Sequence, residues 1–439
     1  LEKLARLEGF YVPSLYSVRY TPDGRVAAYE ARGSAQLPVR KRLVRDLDRA
    51  PFPDRFVVPY LEAVHDRAMV EVARGCTRGC RFCQAGMIYR PVRERRVGTL
   101  RDQTRQLLDS TGYEEVSLSS LSTADYSAIR DLLQAVTGCV PPTSQVSLPS
   151  LRVDSFSVAL AEQLHAQHKG GITFAPEAGT QRLRDVINKG VTEADLLSAV
   201  SAAAAAGWTG IKLYFMIGLP TETDEDVAGI AQLAEKALAA AQQARAAATG
   251  DPARIHVTVS VSSFVPKAHT PFQWEAQASL EQLRAKQVLL QKLLRRPHLA
   301  FHWHEGQASF LEGVLSRADR RVGKALLRAH QLGCKFDGWS EQFQLQRWLQ
   351  AFAETGLDPA FYAQRQRGDD EVFPWEVVDP GVSRRYLWRE RQKALAAQTT
   401  PDCRLAHCSA CGVCPGYQTK PWLEKPQAGA RHLRTWEGA

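Results

Sequence analysis

From residue 68 to residue 264 the chain repeats one pattern, a short apolar run followed by a longer stretch of helical character. The runs fall at 68–74, 115–121, 144–150, 171–176, 210–217 and 255–264, and the stretches between them at about 99–109, 124–137, 155–168, 192–206 and 223–248. Such alternation demands a parallel sheet with helical crossovers, because a parallel neighbour is reached only by a connection long enough to hold a helix. The expected class is therefore α/β. The 223–248 stretch is dominated by Ala, a strong helix former, and Thr223 with Asp226 supplies a capping box at its start. Periodicity alone is satisfied by a barrel or by a doubly wound sheet.

The residues that carry chemistry fall at the C-terminal ends of these runs. After the first comes Gly75-Cys76-Thr77-Arg78-Gly79-Cys80-Arg81-Phe82-Cys83, three cysteines at C-x3-C-x2-C. Three thiolates can hold three irons of a [4Fe-4S] cube. The open fourth iron can be chelated by S-adenosylmethionine, whose sulfonium an electron then cleaves to a 5′-deoxyadenosyl radical. A zinc knuckle would need paired C-x2-4-C units across a longer gap and a fourth ligand, which Cys76, Cys80 and Cys83 do not supply. Three buried thiols are the plainer alternative.

This spacing, with Phe82 before the last cysteine, resembles the radical S-adenosylmethionine (radical SAM) enzymes. The resemblance implies a partial (β/α)6 TIM-type barrel, here with an N-terminal β-hairpin and an α-helical C-terminal extension. The expected division is 1–60 hairpin and linker, 61–275 core barrel, 276–398 mainly helical extension and 399–439 cysteine-rich tail. The hairpin reads from Gly9 to Ala31 around Pro22-Asp23-Gly24, and the basic, proline-interrupted run Lys41 to Pro59 reads as a linker.

Glu177-Ala178-Gly179-Thr180, with Arg184 beyond, is similar to the strand-four E-x-G-[ST] segment of radical enzymes related to the methylthiotransferases, whose carboxylate and following residues touch the bound cofactor. The alternative is a helix N-terminus whose dipole Glu177 stabilises. Gly218-Leu219-Pro220-Thr221-Glu222-Thr223 matches the family's G-x-P-x-E-T loop, against which adenine lies; a plain strand-to-helix turn would use the same residues. Ser119 and Ser120 stand where many members carry G-G-E and are the candidates for the methionyl amino group, unless Ser122 or Thr123 simply caps a helix. Arg152, after the third run, either meets the methionine carboxylate or forms a surface ion pair.

Val265-Pro266-Lys267, Thr270-Pro271-Phe272-Gln273-Trp274, Leu148-Pro149-Ser150-Leu151-Arg152 and the opening Gly9-Phe10-Tyr11-Val12-Pro13 look like an uncharacterised bacterial subgroup linked to cobalamin. In that subgroup a cobalamin-binding domain precedes the hairpin. No D-x-H-x-x-G segment occurs in these 439 residues, and the chain opens on Leu1 rather than Met, so the expectation is a domain upstream of Leu1.

The nine cysteines fall in clusters, three at 76–83 and four at 403–414, with Cys139 and Cys334 alone, a distribution that implies metal rather than a disulfide framework. Cys403, Cys408, Cys411 and Cys414, at C-x4-C-x2-C-x2-C, can fill a second site, a [4Fe-4S] cluster or zinc, with His407 able to replace one thiolate. No run of eighteen apolar residues and no leader pattern appears, so the cytoplasm is the expected compartment. The net charge of +9 permits a nucleic-acid partner.

The expected function is reductive cleavage of S-adenosylmethionine to modify a substrate by methylation or sulfur insertion. An electron donor such as flavodoxin or ferredoxin is required, and the substrate could be RNA or a ribosomal protein. The alternative is an RNA- or ribosome-associated iron-sulfur binding protein without turnover. Beyond 275, helices are expected at 279–295 and 306–331, with a strand from Leu299 to His304. His302 and His304 would share one face of that strand and Glu305 not, which favours a wall over a metal trio. Arg317, Arg320 and Arg321 read as one solvated helix face in preference to an anionic-substrate contact, and Trp339, Trp348 and Phe352 as a buried stripe rather than a stacking platform.

Overall fold

Each apolar run becomes a strand, and all the long strands point the same way. The computed structural model of the protein describes residues 1–53, 55–61, 66–142, 144–148, 152–153, 171–251 and 255–426. Among them β1 (Ala68–Glu71), β2 (Glu115–Ser119) and β3 (Gln145–Ser147) form one parallel sheet in that order. Four further strands, β4 (Ile172–Glu177), β5 (Gly210–Ile217), β6 (His256–Ser263) and β7 (Leu299–Trp303), form a second. Register is fixed by apolar residues aligned across strands: Leu213 of β5 lies between Phe174 of β4 and Val259 of β6, and all three are fully buried.

Helices cover the outer faces: α1 (Gln84–Ile88), α2 (Val97–Thr111), α3 (Ile129–Thr137), α4 (Gln181–Val186), α5 (Glu193–Ala206), α6 (Asp224–Thr249) and α7 (Leu280–Leu293). The capping box of Thr223 and Asp226 is present at the start of α6, and a second, Thr192 with Asp195, opens α5. Ala199, Ala203, Ala234 and Ala237 let α5 and α6 sit deep in the main core. The architecture is a partial TIM-type barrel with an N-terminal hairpin, Tyr16–Tyr20 with Val26–Ala31, and a helical C-terminal extension.

That extension comprises α8 (Gly306–Arg317), α9 (Val322–Gln331), α10 (Leu345–Glu354), α11 (Pro359–Ala363), α12 (Arg384–Leu395) and α13 (Val413–Gly416). The first four share a separate core that includes Phe310, Val314, Trp348, Phe352 and Tyr362. The hairpin is tied back to the extension: the Tyr29 hydroxyl donates to the Pro374 carbonyl at 2.8 Å, and Val39–Arg40 pairs in parallel with Val378–Asp379.

Several expectations change. The run at 68–74 is interrupted after Glu71, and Ala73–Arg74 pairs instead, antiparallel, with Arg93–Glu94. The stretch 306–331 is two helices, because Ala318 is extended and Asp319 turns aside to accept from Arg321 and the Tyr362 hydroxyl. Arg317 is no surface group: it is fully buried and donates to the carbonyls of Glu275, Ala363 and Gln273. Trp339 lies in a turn, 62% exposed, whereas Trp348 and Phe352 are buried as expected. The helix expected at 155–168, with Pro149, Ser150 and Leu151, lies outside the described residues. Among the described residues no helix is long and apolar enough to cross a membrane.

Candidate functional site

The cysteine loop leaves the mouth of the barrel at the C-terminal end of β1, where loops carry function in barrels of this kind. Cys83 caps α1, its sulfur accepting from the Gly86 amide at 3.3 Å. Burial pushes the Cys76 and Cys83 thiols up, Cys83 to about 11, and in both the nearness of Cys80 adds to the effect. Cys76 and Cys83 thus both lie near Cys80, the proximity that thiolate ligands of one iron-sulfur cube require. Phe82 points the other way, into an apolar cluster with Phe264, Phe272 and Met216.

Arg152 faces the loop. Its side chain is largely buried, with Nη1 4.0 Å from the Cys80 sulfur, Nη2 donating to the Lys189 carbonyl at 2.7 Å and Nε 3.9 Å from Asp125. It is an interior group, not a surface ion pair. Asp125 lies at the centre of a cationic ring: Arg78 of the cysteine loop donates to it at 2.9 Å and Arg404 of the tail approaches at 3.5 Å. Burial would raise the Asp125 carboxyl, but Arg78, Arg152 and Arg404 together hold it well below the usual range.

Glu177 ends β4 at φ 70° and pairs with Lys189 at 3.1 Å, both largely buried, so it faces the loop region rather than a helix dipole. Its neighbours in the motif point elsewhere. Thr180 caps α4, accepts from the Leu183 amide at 3.3 Å and donates to Asp226. Arg184 is buried and donates to the carbonyls of Ala178 and Gly179 at 3.1 and 3.2 Å, bracing the turn from inside. A Cβ on Gly179 would overlap the backbone of Asp226, Gly229 and Ile230 of α6, and one on Gly229 would meet Thr180. Gly179 is thus needed for helix contact.

In the loop after β5, Gly218 has φ 80°, and its amide donates to Glu222 at 2.8 Å, with Pro220 following. Glu222 is buried against Lys286 at 2.8 Å. The Ser119 carbonyl accepts from the Val72 amide, and the Ser120 hydroxyl is spent locally on Thr123 at 3.0 Å and the Ser122 amide at 3.1 Å. The mouth therefore brings together Cys76, Cys80, Cys83, Arg152 and Glu177 with Lys189, and turns Phe82, Thr180 and Arg184 away.

Residues 70–234 match the description "Radical SAM superfamily". That stretch, which holds the cysteine loop and the strands from the end of β1 to β5, is what the chain shares with that superfamily. It is 28% identical over 289 residues to an uncharacterized protein of Methanocaldococcus jannaschii, covering 66% of this chain and 60% of the relative. It is 26% identical over 210 residues to a tRNA-2-methylthio-N(6)-dimethylallyladenosine synthase of Bifidobacterium longum, covering 45% of this chain and 40% of that one. Of solved structures, the cobalamin-dependent S-adenosylmethionine radical enzyme OxsB superposes with a TM-score of 0.37 at 12% identity, over 66% of this chain and 45% of that one. The chain thus spans less than two thirds of the length of each of these relatives.

Within that matched region the cysteine loop is clamped by residues that short motifs do not mark. Arg81 is fully buried; it pairs with Glu390 of α12 at 3.1 Å and donates to the carbonyls of Asp185, Val186 and Gln398. The Asn188 amide nitrogen donates to the carbonyls of Arg78, Gly79 and Thr400, and its oxygen accepts from the Thr400 amide at 2.8 Å. Asp402 adds an approach of 3.5 Å to Arg78. The only sequence signal for this clamp was the residue type: an Arg inside a cysteine motif, next to a Phe.

The tail cysteines lie near one another, Cys411 packed against the apolar cluster that includes Met87 of α1. Burial raises the Cys403 thiol, and Cys411 and Cys408 add to it; Cys414 behaves alike. Beside them lies Arg90, 5% exposed, donating to the Gly86 carbonyl at 2.9 Å and the Tyr386 hydroxyl at 3.2 Å, with no carboxylate within 4 Å among the described residues. A buried guanidinium without a carboxylate is at ease next to thiolates, while among the described residues no group of three or more His, Cys, Asp or Glu side chains is drawn together closely enough to hold a metal ion. Cys408 and His407 are exposed.

Proposed function

We propose that the chain is the catalytic part of a radical SAM enzyme, with residues 61–275 as the working barrel and a [4Fe-4S] cluster on Cys76, Cys80 and Cys83. The observation that carries this is the convergence of Cys76, Cys80 and Cys83 with Arg152 and Glu177 at one barrel mouth. Bound there, the cluster would supply the electron that cleaves S-adenosylmethionine and so the 5′-deoxyadenosyl radical that takes a hydrogen atom from substrate.

The chain's own part is holding and excluding. Arg152, with Nη1 4.0 Å from the Cys80 sulfur, would receive a carboxylate near the cluster. Glu177, paired with Lys189 at 3.1 Å, would accept from an amino or ribose hydroxyl group. Gly218 and Pro220 offer backbone to an adenine ring. The segment 398–404 closes one side of the loop against water.

The tail set Cys403, Cys408, Cys411 and Cys414 is assigned a second cluster in preference to zinc, because four thiols within twelve residues crowd a single tetrahedral ion. Methylation is the favoured outcome if a cobalamin domain precedes Leu1, and sulfur insertion the other. The electron donor would be a flavodoxin or ferredoxin, the compartment the cytoplasm, and the substrate RNA or a ribosomal protein among others.

The test is anaerobic reconstitution with iron and sulfide, followed by dithionite and S-adenosylmethionine. Formation of 5′-deoxyadenosine is expected. Its absence, together with salt-dependent RNA binding, would leave an iron-sulfur binding protein instead.

A further inference from the structure

We propose that a cavity beside the cysteine loop binds the anionic head, a carboxylate or a phosphate, of a small molecule with an apolar body. The cavity holds about 370 Å³, within the range of roughly 300–1,000 Å³ usual for small-molecule sites. Gln84, the residue after Cys83, forms part of its wall, and the Gln84 side chain donates to the Ala268 carbonyl at 3.0 Å, drawing the loop after β6 alongside. Leu43, Ile88 and Val378 supply apolar wall.

The charge at the wall is one-sided. Lys41, Arg42, Arg74 and Arg93 all reach it. Arg74 is answered by Glu71, at 2.7 and 2.8 Å, and Arg42 by Glu8. Lys41 and Arg93 have no carboxylate within 4 Å among the described residues. Lys41 donates to the carbonyls of Ile88 and Arg90, and Arg93 to those of Pro91, Tyr89 and Val44. Arg93 is only 3% exposed. Cations taken out of water without a counter-ion are costly, and a bound anion removes that cost.

Three nearby groups bear on the choice of ligand. His269, on the same wall, is held neutral by burial, its imidazole pushed down to about 4, so it offers a hydrogen bond rather than a third free cation. Asp379 and Cys411 act on Lys41 from a distance. The measurement therefore uses the metal-reconstituted chain, in which any charge at the tail is already in place. That the occupant is the substrate of the neighbouring centre rests on the radical SAM reading above. That it is anionic does not.

Isothermal titration of the reconstituted full chain with phenyl phosphate, benzoate and benzyl alcohol tests the proposal. At least one of the two anions should bind about tenfold or more tighter than the alcohol, the scale of a charge-assisted hydrogen bond, and the better anion identifies the head group. Lys41→Met should remove the preference. Equal affinities for all three, or a preference that survives Lys41→Met, would overturn it. Should that variant fail to fold, trace acetylation of the wild-type chain decides: the better anion should slow modification of Lys41 several-fold and benzyl alcohol should not. Lys41 left equally reactive by all three overturns the proposal. With Cys76, Cys80 and Cys83 all Ala, the anion preference should persist although deoxyadenosine formation is lost, which separates this cavity from the cluster reading.

Discussion

Glu177 stands at the mouth with its backbone in the left-handed region and its carboxylate on Lys189. If that carboxylate grips the cofactor, Glu177→Gln should weaken S-adenosylmethionine binding by about 1.5–3 kcal/mol, the worth of a charged hydrogen bond, with the cluster's absorbance intact. Equilibrium dialysis that finds unchanged affinity would leave Glu177 as a partner of Lys189 alone. Cys80→Ala should abolish deoxyadenosine formation while the far-ultraviolet dichroism is retained, since the loop lies outside the sheets; a variant that still makes deoxyadenosine sinks the cluster assignment. Arg81→Leu should behave in the opposite way. It leaves Glu390 buried without its guanidinium and should cost about 3–5 kcal/mol in denaturant unfolding. Cysteine spacing announces itself in the sequence, because ligation needs several residues close together along the chain. The bond from Arg81 to Glu390 cannot, since its partner lies 309 positions away. Gly179 is legible only as a glycine: the helix it touches is a tertiary neighbour, so its reason is found in the packing.

Strands and helices of the barrel were legible because their periods are local, and Thr223 with Asp226 located the start of α6 correctly. The break between α8 and α9 was hidden, since it depends on Asp319 collecting Arg321 and Tyr362. So was the small antiparallel pair Ala73–Arg74 with Arg93–Glu94, which the tail extends through Trp422. Glu94 sits at that junction and accepts from the Ser127 and Glu424 amides. Burial pushes its carboxyl up to about 7 despite those bonds. The folded value lies above the unfolded one, so its contribution to stability is full below about pH 4.3 and is lost as the pH rises through 7. Stability should fall by about 2–3 kcal/mol between about pH 5 and pH 8 through this group, at 1.36 kcal/mol per pKa unit. Glu94→Gln should flatten that slope in urea unfolding curves, and an unchanged slope would remove Glu94 as its source.

Across the whole molecule the surplus of basic residues is less of a surface than composition suggests. Arg81, Arg90, Arg93, Arg95, Arg184, Arg317, Arg367 and Arg391 are all buried, and most of them brace backbone carbonyls, which weakens the reading of a basic working face for RNA. The tail assignment is tested on protein with Cys76, Cys80 and Cys83 all replaced by Ala. About four irons per chain, the content of one cube, are expected after anaerobic reconstitution, whereas stoichiometric zinc without iron would make the tail a structural zinc site. The clamp on the cysteine loop also sets an order of events during synthesis. Glu390 leaves the ribosome 309 residues after Arg81, a delay of about 15–60 s at the usual 5–20 residues per second. Through that interval the three thiols are on a nascent chain whose last bolt has not been made, and the loop is held by its nearer contacts alone until Glu390 and Thr400 follow.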